Sequence, residues 1–184
     1  MTDEFHIEEI NPDEIPSGMG REYWDVSDFI ENECYEEKYY NGAERLIPAE
    51  RRDEIKSIDF SKIRKDNRTN SNADIRSILL PKNWKKGQDV GEFKGSELDF
   101  FKNKVGMEVQ FRQATNLIHD VLKLQKGYSK GKLVAGIIIT FDEKVGIYNQ
   151  AGQDSSFQNL DRWIREFRDV ITFEIPLWSI GIKP

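Results

Sequence analysis

The sequence predicts an α/β fold in which a central mixed β-sheet is flanked by helices. Segments with strand character alternate with segments of helical spacing from residue 97 to residue 182. One strand candidate, 132–140, is a continuous apolar and β-branched run, which is typical of a strand covered on both faces. The resulting order is strand, strand, helix, strand, helix, strand. This alternation is typical of helices layered on a mixed sheet.

The first two predicted strands form a hairpin. Residues 97–101 and 105–111 flank a short polar stretch, and a two-residue turn at 103–104 would join them. Successive side chains of a strand point to opposite faces. In the second strand one face carries Val105, Met107, Val109 and Phe111, and the other carries Gly106, Glu108 and Gln110. The first set is wholly apolar, whereas the second contains the polar residues.

Two helices and a closing strand are predicted after the hairpin. Residues 114–126 have apolar side chains at helical spacing, and residues 154–169 carry an apolar stripe on one side. We expect Ser155 or Ser156 to cap the second of these helices. The apolar run at 171–182 predicts a last buried strand.

The signals upstream of the hairpin are weaker. Pro48 marks the expected start of a helix, because proline is favoured at early helical positions. The polar stretch 67–72 predicts a loop. A short helix at 73–80, capped by Ser71 or Asn72, is expected to end at the proline that follows.

The length of 184 residues fits a single domain, 1–184, with an acidic and partly irregular extension at 1–47 and the core at 48–184. Residues 1–60 hold 18 Asp and Glu against 6 Lys and Arg, whereas residues 61–184 hold 15 against 21. A pI near 5.1 argues against a polyanion partner. The local field decides phosphate binding, however, so charge alone leaves open a phosphate-binding surface and an ordinary solvated one.

Composition excludes several classes of protein. There is no run of 18 apolar residues, so no membrane span is expected, and the acidic start predicts neither a signal peptide nor a transit peptide. We therefore expect a cytoplasmic protein. A single cysteine, Cys34, excludes an internal disulfide framework, and with two histidines it also excludes a Cys/His zinc site. Cys34 has acidic neighbours, which disfavour a nucleophilic thiolate.

The predicted hairpin brings two acids together. With its turn at 103–104, Asp99 lies opposite Glu108 with Cβ atoms roughly 5 Å apart, and Gln110 lies one step along the same face. Neighbouring carboxylates repel, and a divalent cation between them would remove the conflict. Oxygen ligands favour Mg²⁺ or Mn²⁺, which can serve phosphodiester hydrolysis while Gln110 orients water. The alternative is that Asp99 is a turn-side acid and Glu108 an exposed strand residue.

The same residues carry a family resemblance. The segment DFFKNKVGMEVQF at 99–111 resembles the active-site hairpin of the BglII/BstYI family of type II restriction endonucleases, a branch of the PD-(D/E)XK nucleases with Gln where most relatives have Lys. LPKNWKK before it, and GIIIT and IPLWSIGI after it, resemble further family segments in the same order. The resemblance covers about residues 75–184. It implies a single nuclease domain with a restriction-endonuclease-like fold.

The resemblance also implies an activity. We expect Mg²⁺-dependent cleavage of double-stranded DNA at a short palindrome, built around GATC, with 5′-phosphate ends and a homodimer that matches the two-fold site. Mn²⁺ would substitute for Mg²⁺. A bacterial or archaeal restriction-modification system is the expected setting. The alternatives are a structure-specific repair or resolvase nuclease and a non-cleaving DNA-binding protein on the same fold; the intact motif argues against the second.

Site roles follow position by position from the resemblance. The implied catalytic residues are Asp99, Glu108 and Gln110, and the implied metal ligands are Asp99, Glu108 and the backbone carbonyl of Val109. The helix at 114–126 is the candidate dimer interface; the alternative is that its apolar stripe belongs wholly to the core of the subunit.

Two base-reading loops are implied as well. The first falls on Arg112 and Gln113, residue types suited to guanine and adenine, although a phosphate contact by Arg112 is an equal alternative. The second falls near Asp154 and Ser155, where Ser155 could instead cap a helix. We expect His119 to lie on the surface.

Overall fold

The computed structural model describes residues 30–31, 33–64, 68–91, 96–111, 114–142, 156–167 and 170–184. The α-helices in these ranges are α1 (Ala43–Leu46), α2 (Ala49–Lys56), α3 (Arg68–Leu79), α4 (Ala114–Ser129) and α5 (Phe157–Phe167), and short 3₁₀ helices span Phe60–Lys62 and Leu80–Lys82. The strands are β1 (Ile30–Glu31), β2 (Tyr35–Tyr40), β3 (Gln88–Asp89), β4 (Glu97–Leu98), β5 (Phe100–Lys102), β6 (Val105–Val109), β7 (Ala135–Phe141) and β8 (Leu177–Ile182). None of the helices in these ranges combines the length and the apolar character needed to cross a bilayer.

A six-stranded mixed sheet organises the fold. Its order is β1-β2-β8-β7-β6-β5, and β3 pairs with β4 in a separate two-stranded ladder. The contacts of β7 with β6 and β8 are parallel, whereas the β1/β2, β2/β8 and β5/β6 pairs are antiparallel. Parallel neighbours need crossover connections, and α4 and α5 lie on these connections. The predicted α/β class with a mixed sheet is confirmed.

Two apolar clusters cover the two faces of the sheet. Alternate residues of β7 divide between them: Ile137 and Ile139 face one cluster, and Ile138 faces the other. The first cluster includes residues of α1, α2 and α3, and the second includes residues of α4 and α5. The continuous apolar run therefore belongs to a strand covered on both faces, as predicted.

The hairpin has the predicted register. Lys102 pairs with Val105, and Phe100 pairs with Met107. The two turn residues, Asn103 and Lys104, have φ values of 48° and 62°. Positive φ at both positions is the geometry of the tight turn whose twist matches that of the flanking strands.

Strand β2 comes from the part of the chain that the sequence placed in an acidic extension. All six of its residues, Tyr35–Tyr40, are buried, although three of them are charged. The strand pairs along its whole length with β8. Residues 35–47 are thus part of the sheet and its cover, and alternation could not reveal β2 because its buried acids and lysine have partners on other elements.

The prediction of a polar loop at 67–72 is wrong. Helix α3 begins at Arg68, so Ser71 and Asn72 lie inside the helix and cap nothing. The Ser71 hydroxyl instead donates to the backbone carbonyl of Arg64. Weak helix formers are tolerated here because Ile75 and Leu79 are fully buried, and packing overrides propensity.

Other helix predictions hold. Helix α2 begins directly after Pro48. Helix α5 begins after Ser156, whose hydroxyl oxygen accepts a hydrogen bond from the backbone N–H of Asn159 at 3.1 Å. That contact is the predicted serine cap.

Candidate active site

The two predicted acids lie at the same end of the hairpin. Asp99 is exposed in the bend between β4 and β5, whereas Glu108 is on β6 and only 2% exposed. The carboxylate of Asp99 accepts a hydrogen bond from the backbone N–H of Val109 at 2.9 Å. This bond holds Asp99 against the strand that carries Glu108. Because Glu108 is buried, the alternative of an exposed Glu108 is wrong.

Glu108 is a buried acid that lacks part of its hydrogen bonding. Its Oε1 atom lies 2.8 Å from the Nζ atom of Lys123, yet within the described part of the chain it accepts no hydrogen bond of normal geometry. Burial, and then the nearby carboxylates of Asp120 and Asp99, raise the pKa of Glu108 to about 9, while Lys123 opposes the rise. Burial therefore favours the protonated form of Glu108, and its charged form depends on a positive partner.

Helix α4 supplies two site residues, Asp120 and Lys123, that the sequence did not predict. The amide nitrogen of Gln110 donates to Oδ2 of Asp120 at 2.7 Å, and Oδ1 of Asp120 lies 3.2 Å from Nζ of Lys123. Burial raises the pKa of Asp120. Burial alone would lower the pKa of Lys123, but the carboxylates of Glu108 and Asp120 outweigh it and raise that pKa.

A sequence signal for Asp120 existed. Leu117, Val121 and Leu124 are fully buried and form the apolar stripe of α4. Asp120 lies three residues after Leu117, which places it inside that stripe. An acid at a core-facing helical position needs a partner, and the partner here is the Gln110 side chain.

The acids open onto a cleft of about 340 Å³. Its wall includes Asn72 of α3, whose Oδ1 atom is buried and has no hydrogen-bond partner among the described residues. His119 also lines the cleft and is 66% exposed at the side chain, so its predicted surface position holds. The other lining residues are Asp99, Glu108, Val109, Gln110, Phe111, Asn116, Asp120 and Lys123.

The structure brings together the four hairpin residues predicted for the site. Asp99, Glu108, Val109 and Gln110 all line this cleft. The predicted base-reading residues, Arg112, Gln113, Asp154 and Ser155, lie outside the described residues.

The donor set fits a magnesium ion. In the described ranges no three His, Cys, Asp or Glu side chains are grouped so as to hold a metal by themselves. Magnesium in phosphate chemistry is commonly held by one or two carboxylates, with substrate phosphate and water completing the shell. Asp99 and Glu108 provide two carboxylates on the wall of the cleft, and Oε1 of Glu108 still lacks a hydrogen bond.

Comparisons with known proteins agree with this geometry. The profile of the family described as Restriction endonuclease BglII/BglIII matches residues 35–182. The fold is similar to restriction endonuclease BglII in complex with a DNA 16-mer, with a TM-score of 0.68 and 17% identity over 82% of this chain and 76% of that one. It is also similar to free BglII, with a TM-score of 0.60 and 18% identity over 80% and 78% of the two chains. No curated protein sequence matches.

Proposed function

Because the chain belongs to the BglII/BglIII restriction endonuclease family, and is thus a type II site-specific endonuclease, we propose that it cleaves double-stranded DNA in a Mg²⁺-dependent reaction. The proposed target is a short palindrome built around GATC, and the proposed products carry 5′-phosphates. The observation that carries the proposal is the pairing of Asp99 with the strand of Glu108 on the wall of one cleft. The setting would be the restriction-modification system of a bacterial or archaeal cytoplasm, and the chain would be one nuclease domain.

The metal would be held by Asp99, Glu108 and the backbone carbonyl of Val109. When bound, Mg²⁺, or Mn²⁺ in its place, supplies positive charge to a phosphate oxygen and makes water more acidic. Gln110 is neutral and cannot act as a base, so its proposed role is to orient the attacking water. Its amide nitrogen is fixed by Asp120, which limits the positions that the rest of the amide can take.

The described residues that flank the proposed base-reading positions converge. Phe111, which precedes Arg112 and Gln113 in the sequence, stacks on Phe141 with ring centroids 4.1 Å apart. Ser156, which follows Asp154 and Ser155 in the sequence, forms a backbone bridge with the same Phe141. Phe111 and Ser156 therefore meet at one strand end, next to the cleft that Phe111 also lines. We assign base or phosphate contacts to these four residues.

A palindrome has two equivalent half-sites, so the proposed active form is a homodimer. Helices α4 and α5 supply the proposed interface, because they carry large apolar side chains on the outside. Leu122 of α4 is 41% exposed, and Phe167 of α5 is 37% exposed. Leu122→Glu should shift the protein to the monomer in analytical ultracentrifugation; a wild-type protein that is monomeric at all concentrations, with and without DNA, would contradict this interface.

Plasmid digestion tests the activity. The wild-type protein with Mg²⁺ should give discrete bands, whereas Asp99→Ala should give none while still shifting a cognate duplex in a gel with Ca²⁺. Glu97→Ala is the matched control, because it removes an exposed acid two residues away. Selective cutting of branched DNA would favour a resolvase. If neither the wild-type protein nor Asp99→Ala cleaves DNA, and both bind the duplex equally, a non-cleaving binding protein would be favoured.

A further inference from the structure

The cleft contains more negative than positive charge. Asp99, Glu108 and Asp120 line it, and Lys123 is the only lysine or arginine among the described residues that do. The strand residue beside the acids, Gln110, carries no charge. The single ammonium group in the described part of the cleft therefore comes from α4.

The Lys123 ammonium lies among three oxygens from three elements. Its Nζ atom is 2.8 Å from Oε1 of Glu108 and 3.2 Å from Oδ1 of Asp120, and it donates to the backbone carbonyl of Glu97 at 3.2 Å. The side chain is only 14% exposed. The contact with Glu108 differs from the contact with Glu97, because Oε1 of Glu108 accepts no hydrogen bond of normal geometry.

We infer that Lys123 is a positioning residue that serves as the internal counter-ion of Glu108 and competes with the divalent metal for that carboxylate. The inference rests on the proposed function, since it requires Glu108 to be a metal ligand. In the metal-free enzyme the ammonium holds Glu108 in place at the cleft wall. A bound metal would weaken the contact of the ammonium with Glu108, while the contacts with Asp120 and the Glu97 carbonyl would still hold the side chain of Lys123.

Two physical arguments support this competition. Burial favours the neutral form of Glu108 and the ammonium opposes that effect, so in the metal-free enzyme Lys123 favours the charged form of this acid. A metal ion and an ammonium group that contact the same carboxylate repel each other, so each weakens the binding of the other. Asp120 lowers the cost of weakening the contact between Lys123 and Glu108, because it already contacts the ammonium and is itself held by Gln110.

Calorimetric titration of Mn²⁺ into the full-length protein without DNA tests the inference. Lys123→Met should bind Mn²⁺ roughly tenfold more tightly than wild type, because the competing unit charge is gone. Lys126→Met removes the same charge one turn further along α4 and should bind like wild type. The rise in melting temperature on adding Mn²⁺ should also be larger for Lys123→Met than for wild type.

The lysine variants test this inference, whereas Glu108→Gln tests the proposed metal site on which it rests. If Lys123→Met binds no more tightly than wild type, or if Lys126→Met tightens binding equally, Lys123 is not a specific competitor. If Glu108→Gln binds Mn²⁺ as tightly as wild type, the proposed metal site itself falls. Lys123→Gln keeps hydrogen-bond donors without the charge, so it carries the same expectation should the methionine variant fail to fold.

Discussion

Two buried glutamates of the sheet, Glu37 on β2 and Glu108 on β6, look alike in burial and in charge pairing. Glu37 is 1% exposed and Glu108 is 2% exposed, and each has a lysine Nζ atom 2.8 Å from its Oε1 atom. They differ in the remaining partners. Oε2 of Glu37 accepts hydrogen bonds from the Tyr39 hydroxyl at 3.1 Å and the Trp178 indole at 3.0 Å.

Glu108 has neighbours of the opposite kind. Its surroundings include the carboxylates of Asp99 and Asp120, which raise its pKa, and its Oε1 atom accepts no hydrogen bond of normal geometry. Burial and an ion pair therefore do not distinguish a structural acid from a reactive one. The difference lies in whether the rest of the carboxylate is satisfied by neutral donors or crowded by other acids.

The largest expected effect separates the two acids by activity. Glu108→Gln should lower the rate of plasmid cleavage on the order of 10³-fold, the equivalent of about 4 kcal/mol of transition-state stabilisation. Glu37→Gln, the matched control, should cleave at the wild-type rate per folded molecule. Cleavage by Glu108→Gln within about tenfold of wild type would show that this carboxylate is not needed for the chemistry.

For the free energy of unfolding we expect the opposite order, with a larger loss from changing Glu37 than from changing Glu108. Glu37→Ala leaves Lys56 and two buried neutral donors without their acceptor, so we expect a loss of about 3 kcal/mol in the free energy of unfolding. Glu108→Gln replaces a buried carboxyl with a neutral amide of similar size and should stay within about 1 kcal/mol of wild type. Urea unfolding measures both changes. A larger loss for Glu108→Gln than for Glu37→Ala would reverse the assignment of structural and reactive roles.

A third acid, Asp161 of α5, resembles Glu37 because its carboxylate has several hydrogen-bond donors, and it predicts that stability depends on pH. Its Oδ1 atom accepts hydrogen bonds from Lys38 at 2.7 Å and from the Tyr40 hydroxyl at 3.0 Å. Burial alone would raise the pKa of Asp161, but these bonds and the nearby Arg165 outweigh it and lower that pKa. The stabilising contribution is thus present above the ordinary aspartate pKa of about 3.9 and is lost as the pH falls through the lowered value.

Asp161→Asn should therefore be about 1–2 kcal/mol less stable than wild type at neutral pH. The gap should close as the pH falls below about 4, because the wild-type carboxyl then loses its charge as well. Denaturant unfolding at a series of pH values measures this. A gap that stays constant across the series would mean that the charge of Asp161 contributes nothing.

The smallest expected effect concerns the turn of the β5/β6 hairpin, at the end away from the candidate site. Lys104 has a φ of 62°, which a glycine adopts without strain. Lys104→Gly should raise the free energy of unfolding by about 0.5 kcal/mol, since asparagine followed by glycine suits this turn. Cleavage should not change. A loss of stability would show that the lysine side chain contributes more than its backbone strain costs.

Local patterns predicted the hairpin well and its surroundings poorly. The register of Lys102 with Val105 follows from strict alternation and a two-residue turn, both of which are local. Strand β2 escaped detection because its charges are satisfied by residues of other elements, such as Asp161 of α5 for Lys38 and Lys56 of α2 for Glu37. A charged run is ordinarily solvated, and only tertiary structure reveals that this one is buried.

The candidate site shows the same division. Alternation and register placed Asp99, Glu108 and Gln110 together, and the cleft contains all three. The contributions of Asp120 and Lys123 depend on how α4 packs against β6, which spacing along the chain does not determine. The ion pair of Lys123 with Glu108 joins residues on different elements, so it emerges only in the folded chain.

The most direct test of the central claim is to sequence the ends of the fragments that the wild-type protein makes from plasmid DNA with Mg²⁺. If Asp99 and Glu108 hold a metal that promotes hydrolysis, the enzyme should cleave at one recurring palindrome. All ends should then share a sequence and carry 5′-phosphates. Asp99→Ala should yield no such ends. Random ends, or the same ends from Asp99→Ala, would contradict the account.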